Sequence, residues 1–323
     1  MLKVGIVGLG GMGTVHYMNY KHIPQVKVVA CVGTTDADKE KAKQWDLPIF
    51  DSIEAMGKEV DLDIVDICTP TFLHKDHVEQ ALNLNKNVIC EKPLALKSED
   101  AKYLFDLAKD KGKHLYVAQV VQFMKQTEIL RQIINEGKYG KPLDAVFHRL
   151  SAKPNWGSGS WMFDKSKAGL IPYDLHIHDL DLIVSLFGAP DSVEIQETQG
   201  ILDFPEHYRF LYNYDGLNVV GEAAWFNANI PFTAKWTVYF EKAFLVNDQN
   251  GLILYPSDGE AIIYDIEEEN KIETGINVPP TEMYLNELKH FVACILEDID
   301  SPIVTEKQVI STLEILETIS QLN

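Results

Sequence analysis

The chain has 323 residues, of which 46% are hydrophobic and 24% are charged, so it can bury a sizeable core and divide into two domains. This composition excludes a disordered chain, a collagen-like repeat and a small disulfide scaffold. The formal net charge is -19, yet residues 1–150 carry 20 Lys and Arg against 20 Asp and Glu, while residues 151–323 carry 9 against 28. The acidic second half would repel nucleic acid and anionic membranes, so we expect neither as a partner, and a small neutral ligand fits it better.

No stretch of about 18 uninterrupted apolar residues occurs, and no charged leader with an apolar core precedes the first strand. We therefore expect a protein that is neither membrane-spanning nor exported. The four cysteines stand in apolar runs whose spacing matches neither a zinc knuckle nor a redox pair; they are Cys31, Cys68, Cys90 and Cys294. Such cysteines are typical of buried thiols in a reducing cytoplasm.

The first 120 residues alternate short β-branched runs with amphipathic runs. Five strands are predicted at 3–7, 26–32, 64–68, 87–90 and 115–117, and four helices near 13–22, 38–45, 74–84 and 98–111. This alternation favours an α/β domain with a mostly parallel sheet and right-handed crossovers. A helix over 127–135, ending at Gly137, marks the entry to a second domain. We place the two domains at 1–120 and 121–323.

Beyond residue 142 the pattern changes to longer alternating strands, such as 238–240 and 261–264. Turn signals separate neighbouring runs at Asp215-Gly216, Asn250-Gly251 and Asp258-Gly259. The second domain is therefore predicted to be α+β, with a large, mainly antiparallel open sheet. Its helices are expected near 174–187, 282–296 and 306–322, and the acidic run 267–269 is predicted to be a solvated loop.

A GxGxxG motif follows the first strand directly and opens a helix. Gly8 permits the tight turn, Gly10 lets the backbone approach a pyrophosphate, and Gly13 lets helix and strand pack closely. The phosphates would lie at the helix N-terminus, beside Gly11 and Met12. In this strand-turn-helix context the motif predicts a Rossmann domain that binds a dinucleotide.

The end of the second strand bears on which dinucleotide is bound. An acid that binds the ribose of NAD usually stands there, but this chain has Gly33, Thr34 and Thr35. The nearest acids are Asp36 and Asp38, which can instead cap the next helix. The small residues leave room for a 2′-phosphate, but no arginine is nearby to pair with it. NAD and NADP both remain open, with a preference for NAD through Asp36.

Two further turns lie at the predicted carboxyl ends of strands, where ligands of open α/β sheets bind. One is Thr69-Pro70-Thr71 followed by His74, and the other is Glu91-Lys92-Pro93. Together with His16 after the glycine motif, and with Asp174, His178 and Asp181 further on, these motifs resemble the glucose-fructose oxidoreductase and inositol dehydrogenase family (Gfo/Idh/MocA). The resemblance covers the whole chain.

The resemblance implies an NAD(P)-dependent oxidoreductase that acts on a hydroxyl or carbonyl carbon of a sugar, polyol or sugar-derived molecule. It also implies a homodimer or homotetramer formed through the C-terminal sheet. The residues expected at the cofactor are Gly8, Gly10, Gly11, Met12, Gly13, Gly33, Thr34, Asp36, Thr69, Pro70, His74, Glu91 and Lys92. A cis peptide bond is expected before Pro93.

Three residues are the catalytic candidates. Asp174, His178 and Asp181 are spaced four and three apart, which predicts one helical face. A histidine beside a carboxylate suits general acid/base chemistry. The resemblance implies that His178 exchanges the proton of the substrate hydroxyl, while Asp174 orients the substrate or the histidine. Lys92 would stabilise negative charge on the reacting oxygen.

The substrate contacts are predicted from weaker signals. Gln122-Phe123 stands where an Arg-Phe pair is common in the family, which disfavours an anionic substrate. The run 155–161, ending at Trp161, can stack on a sugar face or form a packed loop. His176 is expected to line the substrate cleft or to donate to a backbone carbonyl. We expect no metal, because His176 and His178 fall on different faces of a helix.

Two alternatives stay open. The same fold can act on a non-sugar diol or a cyclic ketone, or it can serve as a non-catalytic dinucleotide sensor that regulates a partner. The joint presence of Lys92, Asp174 and His178 argues against the sensor.

Overall fold

A computed structural model of the chain describes residues 1–155, 160–275 and 279–322. The chain forms two compact units. The first consists of Met1–Phe123 and Glu268–Ile310, and the second of Met124–Glu267 and Ser311–Asn323. Each unit is described by itself below.

The first unit contains a six-stranded parallel sheet in the order β3-β2-β1-β4-β5-β6. Its strands are β1 Leu2–Val7, β2 Val26–Val32, β3 Ile49–Phe50, β4 Ile64–Ile67, β5 Asn87–Glu91 and β6 Leu115–Ala118. The helices between them are α1 Gly11–Tyr20, α2 Asp36–Gln44, α3 Ile53–Glu59, α4 His74–Asn83 and α5 Ser98–Asp110. Every residue of β4 and of β6 is buried, as expected for strands of a parallel sheet covered on both faces. The predicted Rossmann domain is confirmed, and the strand order reverses between β1 and β4.

The second unit contains an eight-stranded sheet in the order β14-β13-β12-β11-β7-β10-β9-β8. All neighbours pair antiparallel except β7 and β10, which are parallel. The strands are β7 Pro142–Ala152, β8 Ser192–Gln199, β9 Pro205–Tyr214, β10 Leu217–Phe226, β11 Thr233–Phe240, β12 Ala243–Asp248, β13 Gly251–Pro256 and β14 Ile262–Tyr264. Its first helices are α6 Lys125–Glu136, α7 Lys165–Ala168 and α8 Ile177–Phe187. The prediction of a mainly antiparallel open sheet is confirmed.

The predicted turn residues explain where several elements end. Gly137 ends α6 with φ of 62°, a left-handed conformation that glycine adopts without strain. Gly216 and Gly251 also have positive φ; Gly216 connects β9 to β10, and Gly251 is the first residue of β13. The acidic run 267–269 lies in a loop, as predicted.

The last part of the chain divides differently from the expected boundary. Residues 268–310, which the sequence places with the second domain, group with the first unit. They contain α9 Met283–Glu297, which packs against α1. Phe291 on α9 is fully buried and stacks on Tyr116 of β6 with ring centroids 5.2 Å apart. The last helix, α10 Glu306–Leu322, begins in this segment and continues in the second unit.

Two further expectations concern the burial of the cysteines and the absence of membrane-spanning segments. All four cysteines are free and buried, which confirms the prediction of buried thiols. Within the described residues, no helix combines the length and the apolar character needed to cross a membrane.

Candidate active site

The glycine loop between β1 and α1 has the geometry of a phosphate-binding turn. Gly8 has φ of 90°, and a Cβ atom there would lie 2.9 Å from the carbonyl oxygen of Cys68. A Cβ at Gly13 would lie 2.0 Å from the carbonyl oxygen of Gly8, so both positions require glycine. At Gly10, by contrast, φ is -67° and nothing lies within 4 Å of an added Cβ. The backbone at Gly10 is therefore open at the N-terminus of α1, the kind of position where phosphate groups bind.

A lysine that the sequence analysis missed holds this loop. The ammonium group of Lys41, on α2, donates to the carbonyl oxygen of Leu9 and to the hydroxyl of Thr14, each at 2.8 Å. Burial lowers the pKa of Lys41, against the opposing effect of Asp38. No spacing rule identifies this residue, because it is one of several lysines on α2 and its partners lie 27 and 32 positions earlier.

The end of β2 presents Asp38 rather than Asp36 to the turn. The Oδ2 atom of Asp38 accepts hydrogen bonds from the backbone N–H groups of Thr34 and Thr35 at 3.2 and 3.0 Å. It forms a capping box with Thr35, and a Cβ at Gly33 would lie 2.5 Å from the Cβ of Asp38. Asp36, preferred from the sequence, has a fully exposed side chain that pairs with Lys39 at 3.5 Å. The negative charge at this end of the sheet is therefore fixed by Asp38.

His74 joins the two turns at the ends of β4 and β5. Its ring nitrogens Nδ1 and Nε2 lie 2.7 Å from the carbonyl oxygens of Pro93 and Thr69 respectively. The side chain is buried, and this burial lowers its pKa. His74 thus ties the Thr69-Pro70 turn to the Lys92-Pro93 turn, whose peptide bond is cis as expected.

Two other predicted residues of the first unit lie in its interior. The carboxylate of Glu91 is buried, and its Oε2 atom accepts a hydrogen bond from the backbone N–H of Lys92 at 3.1 Å. Gln122, predicted at the substrate, lies in a short 3-10 turn, Val120–Phe123, with only 2% of its surface exposed. Lys92 itself is half-buried.

In the second unit, eight of the ten residues 171–180 are buried, and the two that are partly exposed are Asp174 and His178. A π-helical turn, Pro172–His176, begins this segment and runs into α8. π-helical turns recur at functional sites, where they change which side chains share a face. Asp174 and His178 are both partly exposed, whereas Asp181, three residues after His178 on α8, is 1% exposed. The common face of the three residues stays a prediction.

His176 does not line a substrate cleft. Its ring is fully buried, lies 2.7 Å through Nε2 from the hydroxyl of Tyr212, and stacks on Phe210 with centroids 4.0 Å apart. Burial lowers the pKa of His176 to about 4, so the ring is neutral at physiological pH. Gly221 of β10 makes room for it, since a Cβ there would lie 2.5 Å from Cε1 of His176. The expectation was wrong because an i+2 spacing carries no information about a π-helical turn packed on a sheet.

An ion pair fixes the first turn of α8 to the sheet. Arg149 of β7 donates through Nε and Nη2 to the two carboxylate oxygens of Asp179, at 2.9 and 2.7 Å. Both side chains are buried, and two parallel charge-assisted hydrogen bonds define their orientation. His176 and Asp179 therefore clamp the segment 171–180 onto the sheet, while Asp174 and His178 stay partly exposed. In the run 155–161, which the sequence predicts could stack on a sugar, Trp161 is half-buried in a 3-10 turn, Ser160–Phe163. Residues 156–159 of this run lie outside the described residues.

The fold and the glycine loop define the class: a dinucleotide-binding α/β protein with a second, sheet-containing unit. A family profile described as "Oxidoreductase family, NAD-binding Rossmann fold" matches residues 2–119, and the C-terminal domain profile of the same family matches residues 127–246. The chain belongs to the Gfo/Idh/MocA oxidoreductase family, whose Rossmann domain binds NAD.

Individual relatives agree with this assignment. An uncharacterized oxidoreductase of Schizosaccharomyces pombe is 26% identical over 222 residues, which cover 66% of this chain and 60% of that protein, so the match spans less than two thirds of its length. The inositol 2-dehydrogenase of Rhizobium meliloti is 25% identical over 307 residues, or 91% of this chain and 88% of that enzyme. A solved structure of levoglucosan dehydrogenase with NADH and levoglucosan shares the fold, with a TM-score of 0.85, 22% identity, and coverage of 99% of this chain and 96% of that one.

The glycine loop generates the first prediction. Gly10→Val should weaken NADH binding at least about tenfold, because the side chain would occupy the pyrophosphate position, while the melting temperature stays nearly unchanged. Fluorescence titration with NADH and thermal unfolding measure the two effects. Gly13→Ala is the contrasting variant: its Cβ meets the Gly8 carbonyl, so it should lower the melting temperature as well. Unaltered NADH affinity in Gly10→Val would show that the pyrophosphate lies elsewhere.

The end of β2 generates the second prediction. NADH should bind at least as tightly as NADPH, because the carboxylate of Asp38 opposes a 2′-phosphate. Asp38→Asn should reduce the ratio of NADH to NADPH affinity by about threefold to tenfold, while Asp36→Asn should leave it nearly unchanged because that carboxylate is fully exposed. Titration of each variant with both cofactors gives the ratios. A larger effect from Asp36→Asn would restore the assignment made from the sequence.

Proposed function

We propose that the protein is an NAD-dependent oxidoreductase that transfers hydride between the nicotinamide and a hydroxyl or carbonyl carbon of a sugar, polyol or sugar-derived molecule. The observation that carries this proposal is the clamped segment 171–180, whose only unburied side chains are a carboxylate and an imidazole one turn apart, Asp174 and His178. A helix needs no such pair for its packing. An acid and a base presented together on a helix fixed by His176 and Asp179 suit proton exchange with a hydroxyl.

The residues of the first unit fit an NAD molecule. The turn at Gly10 leaves the space that a Cβ would fill, and Asp38 places a carboxylate where a ribose hydroxyl rather than a phosphate is accommodated. Bound NAD supplies the hydride acceptor, or the donor in the reverse direction. Lys92 lies at the carboxyl end of β5, where its ammonium group would stabilise negative charge that develops on the substrate oxygen.

His178 would take the hydroxyl proton in oxidation and return it in reduction. The Nδ1 atom of His178 is buried, so we assign the proton transfer to Nε2. Asp174 would hold the imidazole or the substrate in the reacting orientation. A histidine exchanges protons efficiently because its ordinary pKa lies close to neutral pH.

Charge and the names of two of the relatives support the proposed substrate class. The second half of the chain carries 9 basic against 28 acidic residues, which disfavours an anionic substrate, and Gln122 stands where a family arginine is common. Inositol and levoglucosan, named for two relatives, are uncharged molecules rich in secondary hydroxyls. A neutral polyhydroxylated ring is therefore the favoured substrate. We further propose that the protein acts in a reducing compartment, where free cysteines persist.

An activity screen tests the proposal. Purified protein is incubated with NAD⁺ and a panel of inositols, aldoses and anhydrosugars, and the absorbance of the reduced nicotinamide is followed; the keto forms are tested in parallel with NADH. Turnover with at least one neutral polyol supports the proposal. Tight NADH binding without turnover on any member of the panel would instead favour the dinucleotide sensor.

The catalytic pair generates a third prediction. His178→Ala should lower turnover on a substrate found by the screen by a factor of about a hundred to ten thousand, because the positioned proton acceptor is lost, while NADH affinity changes little. His22→Ala, at an exposed position after α1, is the matched control and should retain turnover. Steady-state kinetics and NADH titration give both quantities. Near wild-type turnover in His178→Ala would contradict the assignment.

We also propose that the outward face of the large sheet joins copies of the chain. The register of β11, β12 and β13 aligns Tyr239, Phe244 and Tyr255 in one cross-strand row, exposed by 48%, 40% and 48%. In the neighbouring row, Ile263 of β14 is 74% exposed and pairs with Ile253. A contiguous apolar surface of this kind is typical of a protein interface.

The sheet face generates a fourth prediction. Light scattering at micromolar concentration should report a dimer or tetramer, and Phe244→Arg should shift it toward the monomer because a charge would be buried in the interface. Leu296→Arg, at a 56% exposed position on α9, is the matched control and should leave the assembly unchanged. A monomeric wild type would contradict the proposal.

A further inference from the structure

Three ionisable side chains form a cluster inside the first unit, in which each side chain contacts the next. His16 comes from α1, Asp66 from β4 and Glu91 from the end of β5. Nδ1 of His16 donates to Oδ2 of Asp66 at 2.8 Å, and Nε2 forms an ion pair with Oε1 of Glu91 at 3.2 Å. The exposed fractions of His16, Asp66 and Glu91 are 0%, 0% and 6%. No step of the proposed reaction uses this cluster directly.

The charges in the cluster follow from its contacts. Burial lowers the pKa of His16, but the charge of Asp66 and the hydrogen bond to it outweigh this effect and hold the pKa well above its ordinary value. Burial raises the pKa of Glu91, but the hydrogen bond and charge of His16 bring it below its ordinary value. An imidazolium thus lies between two carboxylates, and each of its nitrogens faces one of them.

Other ionisable side chains around the cluster are buried as well. Glu287 of α9 is fully buried, and burial together with the charge of Glu91 raises its pKa well above its ordinary value. Burial likewise raises the pKa values of Tyr20, Cys68 and Cys90, which are neutral around it. Burying this many ionisable groups costs free energy that apolar side chains would not cost, so stability alone does not explain the cluster.

Glu91 connects this cluster to Lys92, a residue of the proposed site. Glu91 uses one carboxylate oxygen for His16 and the other, Oε2, to accept the backbone N–H of Lys92. The orientation of the Glu91 carboxylate therefore fixes the first peptide after β5. Because Lys92 follows directly, a rotation of this peptide would displace its side chain.

A metal ion is a poorer account of the same residues. Ligand atoms of His16, Asp66 and Cys68 lie within 4.8 Å of one another. However, Nδ1 of His16 and Oδ2 of Asp66 are 2.8 Å apart, a hydrogen-bond distance, whereas two ligands of a tetrahedral zinc ion lie about 3.3 Å apart. The pair already satisfies itself without an ion.

We propose that Asp66, His16 and Glu91 form a positioning unit that fixes the orientation of Lys92 toward the nicotinamide and the substrate oxygen. In this proposal His16 and Glu91 act through the position of the lysine. This inference rests on the role of Lys92 in the proposed function.

A double-mutant cycle tests the proposal. The NADH dissociation constant is measured by fluorescence titration for the wild type, His16→Gln, Lys92→Met and the double variant. His16→Gln should weaken NADH binding about tenfold when Lys92 is present and less than about twofold when Lys92→Met is already in place, because the two residues act through one contact. Asn19→Ala, which removes another buried polar side chain from α1, is the matched control and should have the same effect in both backgrounds.

Equal effects of His16→Gln in both backgrounds would overturn the proposal, since the histidine would then act on α1 and its glycine loop rather than on Lys92. No effect of His16→Gln on NADH binding would overturn it as well. If His16→Gln does not fold, Glu91→Gln replaces it in the cycle, because the amide cannot pair with the imidazolium in the same way; the same coupling is expected. Measuring turnover distinguishes a failure of the proposed function from a failure of the positioning proposal. Unchanged turnover in Lys92→Met contradicts the proposed function. Reduced turnover in Lys92→Met, together with equal effects of His16→Gln on NADH binding in both backgrounds, contradicts the positioning unit alone.

Discussion

The parallel pairing of β1 with β2 and β4, continued by β5, is the constraint on which the candidate site depends. Parallel strands end at the same edge of a sheet, so the loops that follow four strands must gather there although they are far apart in sequence. The glycine loop, the Asp38 turn, the Thr69 turn and the Lys92 turn all follow such strand ends. Buried contacts then remove their remaining freedom: Lys41 holds the glycine loop, and His74 ties two of the turns together.

Sequence reasoning succeeded where local chemistry decides the structure. The strands β2 and β4 and the stop at Gly137 follow from β-branched runs and from a glycine in the left-handed conformation, signals contained in a few neighbouring residues. The glycine motif was informative for the same reason, because close backbone approach permits no side chain at Gly13. Motif resemblance supplies Lys92, Asp174 and His178 as catalytic candidates, whose roles stay predictions; periodicity alone would not distinguish them from surface residues.

The remainder required tertiary structure. A π-helical turn before α8 has no spacing signal, so the burial of His176 against the sheet cannot be inferred from the sequence. Which of two acids faces the turn after β2 depends on side-chain geometry that composition cannot specify. Residues 268–310 join the first unit because a buried face of α9 packs on α1, a contact between segments more than 260 residues apart. Contacts of that range leave no local pattern.

The central claim is that the chain transfers hydride from a carbon that bears a hydroxyl group, and isotope transfer tests it most directly. The protein is incubated with NAD⁺ and inositols, aldoses and anhydrosugars that carry deuterium on their ring carbons, and the recovered nicotinamide is analysed by mass spectrometry and NMR. We expect one deuterium per turnover at C4 of the reduced nicotinamide, delivered to a single face. Absence of deuterium from the nicotinamide with every member of the panel would contradict the claim.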